Sequence, residues 1–140
     1  MTPLQQFLTL YTNLNQYSAR QLAEVYSDDI EFVDPVTTHH GLQAVTAYFE
    51  RLLVNCHSCV FDIRSATLQG STGHISWTMR FQHRRLKNGK PIMVDGFSLL
   101  KFKEDKVSMQ HDYYDMGAMI YEHVPMVGPI VSALRRRLAA

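Results

Sequence analysis

The sequence predicts one α+β domain, an α+β roll: a cone in which a strongly curved antiparallel or mixed β-sheet wraps around N-terminal helices. Helical periodicity dominates the first third of the chain, apolar and polar residues alternate over much of residues 60–114, and Gly-containing turns separate the alternating segments. The 140 residues, 46% hydrophobic and 19% charged, suffice for one globular core. Helices on one face of such a sheet leave a pocket between the two layers.

Two helices and a short strand are predicted at the start of the chain. Apolar residues recur at helical spacing over residues 7–14 and again over residues 22–26. Residues 30–33 then have the pattern of a strand. This strand ends at Asp34-Pro35, because proline lacks the amide proton that regular strand pairing needs.

A third helix and four antiparallel strands complete the predicted fold. The helix opens after Gly41 and carries an apolar stripe from Leu42 to Leu53. Asn88-Gly89 predicts a hairpin turn, since both central positions of a type I′ turn require positive φ. The four strands are placed at residues 60–68, 75–84, 91–102 and 106–114.

Composition argues against several classes of protein. The formal net charge of +1 provides no overall field for binding nucleic acid, and no run of about 18 apolar residues is available to span a bilayer. The first residues carry neither a basic start nor an apolar run, so a secretory signal is not expected. Two cysteines are too few for a disulfide framework. We therefore expect a cytoplasmic protein that neither inserts into a membrane nor binds nucleic acid.

Neither a redox centre nor a metal centre is expected. Cys56 and Cys59 form a Cys-x-x-Cys motif, but it closes a predicted helix and precedes a strand, whereas redox motifs follow a strand and open a helix. The histidines show no ligand spacing on a helix or strand, and His39-His40 is predicted in a loop. No cofactor is implied.

Four segments carry a resemblance to a known superfamily. Residues 26–35 (YSDDIEFVDP) and 47–49 (AYF) resemble the front half of ketosteroid-isomerase-like proteins. Residues 95–97 (DGF) and 111–115 (HDYYD) are similar to SnoaL-type cyclases and to limonene epoxide hydrolase. All belong to the nuclear-transport-factor-2-like superfamily. The resemblance implies a cone fold, an enclosed pocket for an apolar steroid-, polyketide- or terpenoid-like molecule, and a homodimer.

The isomerase resemblance implies roles for four residues. Asp34 falls where the isomerases keep the base that removes a proton. Tyr11 lies near the position of their oxyanion tyrosine, and Tyr26 matches a supporting tyrosine. Ser98 stands where those enzymes carry a second aspartate, so the donor facing an oxyanion is weaker here.

The hydrolase and cyclase resemblance points to Asp112. Arg80 matches the arginine of the hydrolase's Asp-Arg-Asp relay, but Gln82 stands in place of the second aspartate. An amide cannot take a proton from water, so epoxide hydrolysis by that relay is not expected. In the cyclases a single aspartate at the position of Asp112 is the base. From the strand pattern, Asp112 shares a face with Gln110 and Tyr114, and a buried carboxylate there needs a partner, for which Arg80 is expected.

Two functional hypotheses follow. In the first, Asp34 or Asp112 removes a proton beside a carbonyl while Tyr11 or Tyr26 binds the enolate, as in a cofactor-free isomerase or cyclase. In the second, the chain is a non-catalytic ligand-binding or homodimeric assembly module, Asp34 caps backbone amides of a turn, and Asp112 forms a structural ion pair. The expected pocket lining is Arg80, Gln82, Ser98, Tyr114, Phe49 and Trp77.

The tail is treated as a separate unit: residues 1–125 form the domain and residues 126–140 an amphipathic basic helix. Ile130, Leu134 and Leu138 share one helical face with Val131, flanked by Arg135 and by Arg136 or Arg137. Such a helix suits an anionic membrane surface, a partner subunit, or the mouth of the pocket. Because it has only about three turns, packing on the domain or on a partner is favoured.

Overall fold

The computed structural model describes residues 1–83, 85–119, 123–124 and 126–140, apart from the side chains at positions 55 and 57. Over these residues the α-helices are α1 (Pro3–Thr12), α2 (Ala19–Val25), α3 (Leu42–Asn55), α4 (Met116–Met119) and α5 (Val127–Ala139). The strands are β1 (Tyr26–Val33), β2 (Thr38–His40), β3 (Cys56–Gln69), β4 (Thr72–His83), β5 (Ile92–Lys103) and β6 (Lys106–Tyr114). The predicted α+β class is confirmed, with the predicted order of helices and long strands.

The strands form one curled, open sheet in the order β2-β1-β6-β5-β4-β3. Neighbouring strands are antiparallel except β1 and β6, which run parallel with Val33 opposite His111. This one parallel pairing joins the front of the chain to its last strand. It therefore brings Asp34, the residue after β1, beside Asp112, two residues before the end of β6.

Helices α1, α2 and α3 cover one face of the sheet, which we call the inner face; the opposite face is the outer face. Helices α1 and α2 begin at capping boxes, in which the hydroxyls of Thr2 and Ser18 accept from the amides of Gln5 and Gln21 and the glutamine side chains bond back. The core between the layers is rich in aromatic rings. Its fully buried large side chains include Trp77, Tyr11, Tyr26, Phe7, Phe49, Leu14, Leu22, Ile30, Ile75, Ile92 and Leu100.

The prediction of a loop at His39-His40 is wrong. These residues belong to β2, which pairs antiparallel with β1 and places His39 opposite Phe32. The three residues are too few for a recognisable alternation, so sequence gives no strand signal there. The imidazole of His39 packs edge-on against Tyr48, with ring centroids 4.6 Å apart.

The β4–β5 hairpin is present, but not with a two-residue turn. Strand β4 ends at His83 and β5 begins at Ile92, so the connection is longer than a type I′ turn. Asn88 and Gly89 do have positive φ, at 54° and 77°, as the dipeptide predicts. Lys87 also has positive φ, at 51°, which lengthens the turn.

The tail helix α5 is attached to the end of β6. Arg135 forms an ion pair of 2.8 Å with Asp115, and Gly128 is buried. Ile130, Leu134 and Leu138 are exposed, so the domain itself does not cover this stripe. Pro125, the predicted boundary, lies outside the described residues. No described helix combines the length and apolarity needed to cross a membrane.

Candidate functional site

The centre of the site is the carboxylate of Asp112 on the inner face of β6. Its Oδ1 accepts hydrogen bonds from Ser98 Oγ at 2.6 Å and from Gln110 Nε2 at 2.9 Å. Strand geometry explains both contacts, since Ser98 lies opposite Asp112 in the β5–β6 register and Gln110 is two residues away on the same face. Among the described residues, Oδ2 receives no hydrogen bond.

The indole of Trp77 holds Ser98 in place. Its Nε1 donates to Ser98 Oγ at 2.9 Å, which leaves the hydroxyl proton for Asp112. The indole ring lies directly over Gly96, where any Cβ would collide with it. Gly96 is therefore required for close approach of the ring, and it belongs to the Asp-Gly-Phe segment singled out in the sequence.

Two tyrosines extend the network behind Asp112. Gln110 Nε2 also donates to Tyr11 Oη at 2.8 Å, and Tyr26 Oη donates to Gln110 Oε1 at 2.6 Å. Because Tyr26 gives its proton to the amide oxygen, Tyr11 is the donor in the longer 3.2 Å contact between the two hydroxyls. The Tyr11 proton is thus weakly held and can turn towards the cavity.

Burial controls the protonation of this network. Loss of solvent raises the pKa of Asp112 to about 7, and the nearby charge of Asp34 acts in the same direction. The hydrogen bonds from Ser98 and Gln110 oppose this rise by stabilising the carboxylate. Burial also raises the pKa of Tyr11 and Tyr26 well above the ordinary value, so both phenols stay neutral at physiological pH.

Asp34 closes the first turn after β1 and also faces the site. Its Oδ1 accepts from the amides of Val36 and Thr37 at 2.8 and 3.0 Å, which is the turn-capping arrangement. Its Oδ2 accepts from Tyr48 Oη at 3.0 Å. Burial, followed by the charge of Asp34, raises the pKa of Tyr48, so this phenol remains a donor.

A small cavity lies between Asp112 and the helices. Its volume is about 30 Å³, close to the space that one water occupies in the liquid. Among the residues that the structure describes, those with polar groups in its lining are Asp112, Tyr11, Tyr48, Tyr114 and Trp77. The other lining residues are Leu14, Phe32, Phe49, Leu52, Phe61, Met79 and Met119.

A larger open groove of about 390 Å³ lies next to this cavity and forms its mouth. Groove and cavity share four lining residues, Tyr48, Leu52, Tyr114 and Met119, which stand between them. The rest of the groove wall consists of Val36, Thr37, His39, Arg51, Cys56 and His83. The groove falls within the usual size range of small-molecule sites.

The predicted contact between Arg80 and Asp112 is wrong, and so is the placement of Arg80 and Gln82 in the pocket. Arg80 Nε pairs with Asp62 Oδ2 at 3.1 Å on the outer face, and Gln82 donates to the Gly89 carbonyl at 3.2 Å. The reason is that side chains alternate between the two faces of a strand. Trp77 and the residues two positions away from it occupy the inner face of β4, so Arg80 and Gln82 lie on the outer face. That alternation is visible in the sequence, and it outweighs the hydrolase resemblance on which the placement of Arg80 and Gln82 depended.

The remaining predicted residues are brought together. Tyr11, Phe49, Trp77 and Tyr114 line the cavity with Asp112, Ser98 bonds Asp112, and Tyr26 lies behind Tyr11. The sequence reasoning did not assign a role to Tyr48 or Gln110. Tyr48 sits beside Phe49 on α3, and only the fold directs its hydroxyl to Asp34. For Gln110 the signal was present, since it shares a strand face with Asp112.

The two cysteines are free thiols: Cys56 lines the groove and Cys59 is buried in the core. Burial raises the pKa of Cys59 to about 12 and also raises that of Cys56. A thiol with a raised pKa is a poor nucleophile and a poor redox group at neutral pH.

Helices packed inside an open mixed sheet are the fold that solved nuclear-transport-factor-2-like and ketosteroid-isomerase-like proteins share with this chain. Within that class the chain belongs to the SnoaL-like domain family, whose model matches residues 7–109. No curated protein matches the chain in sequence.

Solved structures share the fold at low sequence identity. A ketosteroid-isomerase-like protein from Catenulispora acidiphila, solved with trimethylamine, is 16% identical with a TM-score of 0.76, covering 89% of this chain and 96% of its own. A protein from Shewanella denitrificans, provisionally named a SnoaL-like polyketide cyclase, is 21% identical (TM-score 0.71, 84% and 93% covered). TerC, co-crystallised with polyporic acid, is 14% identical (TM-score 0.72, 84% and 94% covered).

Proposed function

We propose that this protein binds an apolar carbonyl compound at the mouth and cavity of the cone and moves a proton on it, with Asp112 as the base. The observation that carries the proposal is the state of Asp112. This carboxylate is buried, it has one oxygen without a described donor, and its pKa is raised to about 7. A base with a pKa near the working pH is the best compromise between being ionised and holding a proton.

The neighbouring groups support proton removal beside a carbonyl. Asp112 Oδ2 would take the proton, while Ser98 and Gln110 hold Oδ1 and fix the plane of the carboxylate. Tyr11 would donate to the developing enolate oxygen, since its own proton is only weakly used by Tyr26. Returning the proton to a different carbon gives isomerisation, and attack of the enolate on a second carbonyl gives cyclisation.

Asp112 is preferred to Asp34 as the base because both oxygens of Asp34 are already engaged by donors. Asp34 then has two other effects. Its charge favours the protonated form of Asp112, and it orients the hydroxyl of Tyr48 at the boundary between groove and cavity.

The ligand would occupy the groove and extend into the cavity. The cavity alone has room for one water, so Met119 and Leu52, which stand between the two spaces, must yield to a larger molecule. Met119 lies on the four-residue helix α4, and methionine adapts readily to a new shape. The mostly apolar lining favours a steroid-, polyketide- or terpenoid-like body, a class consistent with the names of the similar structures.

A non-catalytic binding module is the second candidate. The observation in its favour is the close filling of the cone by its own rings: Tyr11 stacks on Phe7 and packs edge-on against Phe49 and Phe61. In this alternative the ligand stays in the groove, and the Asp112 network serves only to close the core.

Deuterium exchange separates the two candidates. A panel of enolisable cyclic ketones and hydroxyquinones is incubated with the protein in D₂O, and exchange at the α-carbon and binding are both followed by NMR. We expect wild-type protein to accelerate exchange for the compounds that it binds. Asp112→Asn keeps the hydrogen-bonding shape of the side chain and should abolish the acceleration while binding persists.

The matched control is Asp62→Asn, which neutralises a half-exposed carboxylate on the outer face and should exchange at the wild-type rate. Binding without acceleration by wild-type protein would favour the non-catalytic module. Acceleration that survives in Asp112→Asn would reject Asp112 as the base.

We further propose a homodimer through the outer face of the sheet. Met93, Phe97 and Tyr113 are exposed there, and two ion pairs, Arg64 with Asp95 and Arg80 with Asp62, lie on the same face. A second copy could therefore cover the apolar side chains without bringing unpaired charges together. Sedimentation should give a dimer that Phe97→Glu dissociates, and a monomer at all concentrations would contradict this.

A further inference from the structure

We infer that the tail and the β4–β5 connection form a docking surface for an anionic lipid membrane. We call this surface the basic end and define it as residues 85–90 together with residues 126–140. These two segments contain six of the fourteen lysines and arginines of the chain and none of its thirteen acidic residues. The near-neutral net charge therefore conceals a strong separation of charge.

The apolar half of the basic end is a stripe along α5. Val127, Ile130, Leu134 and Leu138 follow one another at intervals of three or four residues and so share a helix face. The structure leaves Ile130 61% and Leu138 89% exposed. Exposed apolar residues in a continuous row on one helix face usually mark an interaction surface.

The anchoring of α5 directs this stripe away from the domain. The ion pair from Arg135 to Asp115 and the burial of Gly128 attach one flank of the helix, about a quarter turn from the stripe, to the end of β6. The stripe is therefore presented to an external surface, although α5 is held on the domain.

The arginines are placed as an interfacial helix requires. Arg137 follows Ile130 by seven residues and Leu134 by three, so it flanks the stripe, and its long side chain can reach lipid headgroups while the stripe enters the acyl boundary. Arg136, two residues after Leu134, lies on the opposite side of the helix. Arg137 and Arg136 therefore form a matched pair for mutation: they carry the same charge, and only Arg137 lies beside the stripe.

The β4–β5 connection extends the same surface. A cavity of about 400 Å³ is lined by Arg85, Lys87 and Asn88 from the connection and by Met126 and Pro129 from the tail. The two segments are thus neighbours in space. Lys87 and Arg85 add positive charge beside the start of the apolar stripe.

Charge favours an anionic membrane over a second copy of the chain. In a symmetric contact through α5, each cationic surface would face its own image, which costs energy because the basic end contains no acidic residue. An anionic leaflet supplies the opposite charge along with an apolar layer for the stripe. A helix of 13 residues is suited to lie in the interface and too short to span it.

The mouth of the pocket lies beside the basic end. His83 lines the groove, and Arg85, two residues later, lines the basic cavity. Met119 also lines the groove, and His123, four residues later, lines the basic cavity. A docked protein would hold its groove close to the lipid, where apolar molecules accumulate. The inference does not depend on proton transfer, because lipid binding is measured separately.

Vesicle flotation of the full chain tests the inference. We expect the protein to float at low salt with vesicles of phosphatidylcholine and phosphatidylglycerol, to stay behind with phosphatidylcholine alone, and to be released by high salt. The double variant Ile130→Ser/Leu134→Ser should lower partitioning at least about tenfold. Arg137→Gln should lower it about fivefold, and Arg136→Gln clearly less.

The control is Val54→Ser, which removes an apolar side chain that is equally exposed on another helix and should float as wild type does. Equal binding to neutral and anionic vesicles would overturn the inference. Absence of flotation would also overturn the inference. This holds if the protein stays monomeric, if it binds an acidic protein instead, or if it self-associates in a manner that the double variant abolishes.

Discussion

Strand β6 has two faces of opposite chemistry. On the inner face Gln110 and Asp112 are buried and bonded to groups from three other elements. On the outer face His111 and Tyr113 stack on each other at the surface, with ring centroids 4.0 Å apart. Residues that alternate along one strand thus contribute to a buried polar network and to a solvated surface. The same kind of hydrogen bond is worth much more in the first environment than in the second.

The same contrast separates two carboxylates. Asp62 on the outer face pairs with Arg80, and both side chains are about half exposed. Asp112 on the inner face has only neutral donors among its described partners, and its pKa is raised to about 7. An arginine beside Asp112 would have kept it ionised at far lower pH. The absence of the contact predicted with Arg80 is therefore what lets Asp112 titrate near neutral pH.

The largest expected effect is the pH dependence of stability that comes from Asp112. Its folded pKa is raised above the unfolded value of about 3.9, so the stability it contributes is complete below about pH 4 and is lost as pH rises towards 7. Asp112→Asn cannot ionise. It should match wild type near pH 4 and exceed its free energy of unfolding by up to about 4 kcal/mol above pH 7.

Urea unfolding at several pH values measures this difference. Parallel profiles for wild type and Asp112→Asn would mean that Asp112 titrates at its ordinary pKa, and the contrast between the two carboxylates would disappear.

The next effect concerns the packing of the inner face. In Gly96→Val the new side chain would collide with the Trp77 ring, so the indole must move and lose its bond to Ser98. We expect a loss of about 3 kcal/mol in unfolding free energy, typical of severe overpacking. Gly70→Ala is the control, because a Cβ at Gly70 meets nothing within 4 Å and costs only the strain of its positive φ of 61°, about 1 kcal/mol. Equal losses of unfolding free energy in the two variants would show that the Trp77 ring can move aside at little cost.

A smaller loss is expected when the inner network is cut at Gln110. Gln110→Leu removes the amide that bonds Tyr11, Tyr26 and Asp112, which should cost about 2 kcal/mol because buried polar groups lose their partners. The pKa of Asp112 should also rise further, since one stabilising donor is lost. Urea unfolding and carboxyl NMR titration measure the two effects. An unchanged Asp112 titration would remove Gln110 from the site.

Most of the fold could be predicted because its signals are local. Helical and alternating periodicity placed three helices and the four long strands, and strand β6 was placed at its observed bounds of Lys106 and Tyr114. Strand β2 was missed because three residues carry no period. The parallel pairing of β1 with β6 is a contact between distant segments, and no local pattern in the sequence predicts it.

The site was predictable where the side chain faces followed from strand period. Asp112, Tyr114 and Gln110 share a face as the alternation requires. The predicted partner of Asp112 was wrong because Arg80 was chosen for its opposite charge, although the alternation along β4 places it on the other face of the sheet. Tyr48 could not be foreseen, since its bond to Asp34 depends on how α3 crosses the end of β1.

The smallest expected effect lies on the outer face and follows from that error. Arg80→Ala removes the ion pair with Asp62, which is half exposed and therefore screened, so the unfolding free energy should fall by no more than about 0.5 kcal/mol. The exchange activity and the Asp112 titration should not change, because the sheet separates Arg80 from the site. A shift in the Asp112 titration on Arg80→Ala would mean that the arginine acts across the sheet after all, and that the two faces of the cone are not electrostatically independent.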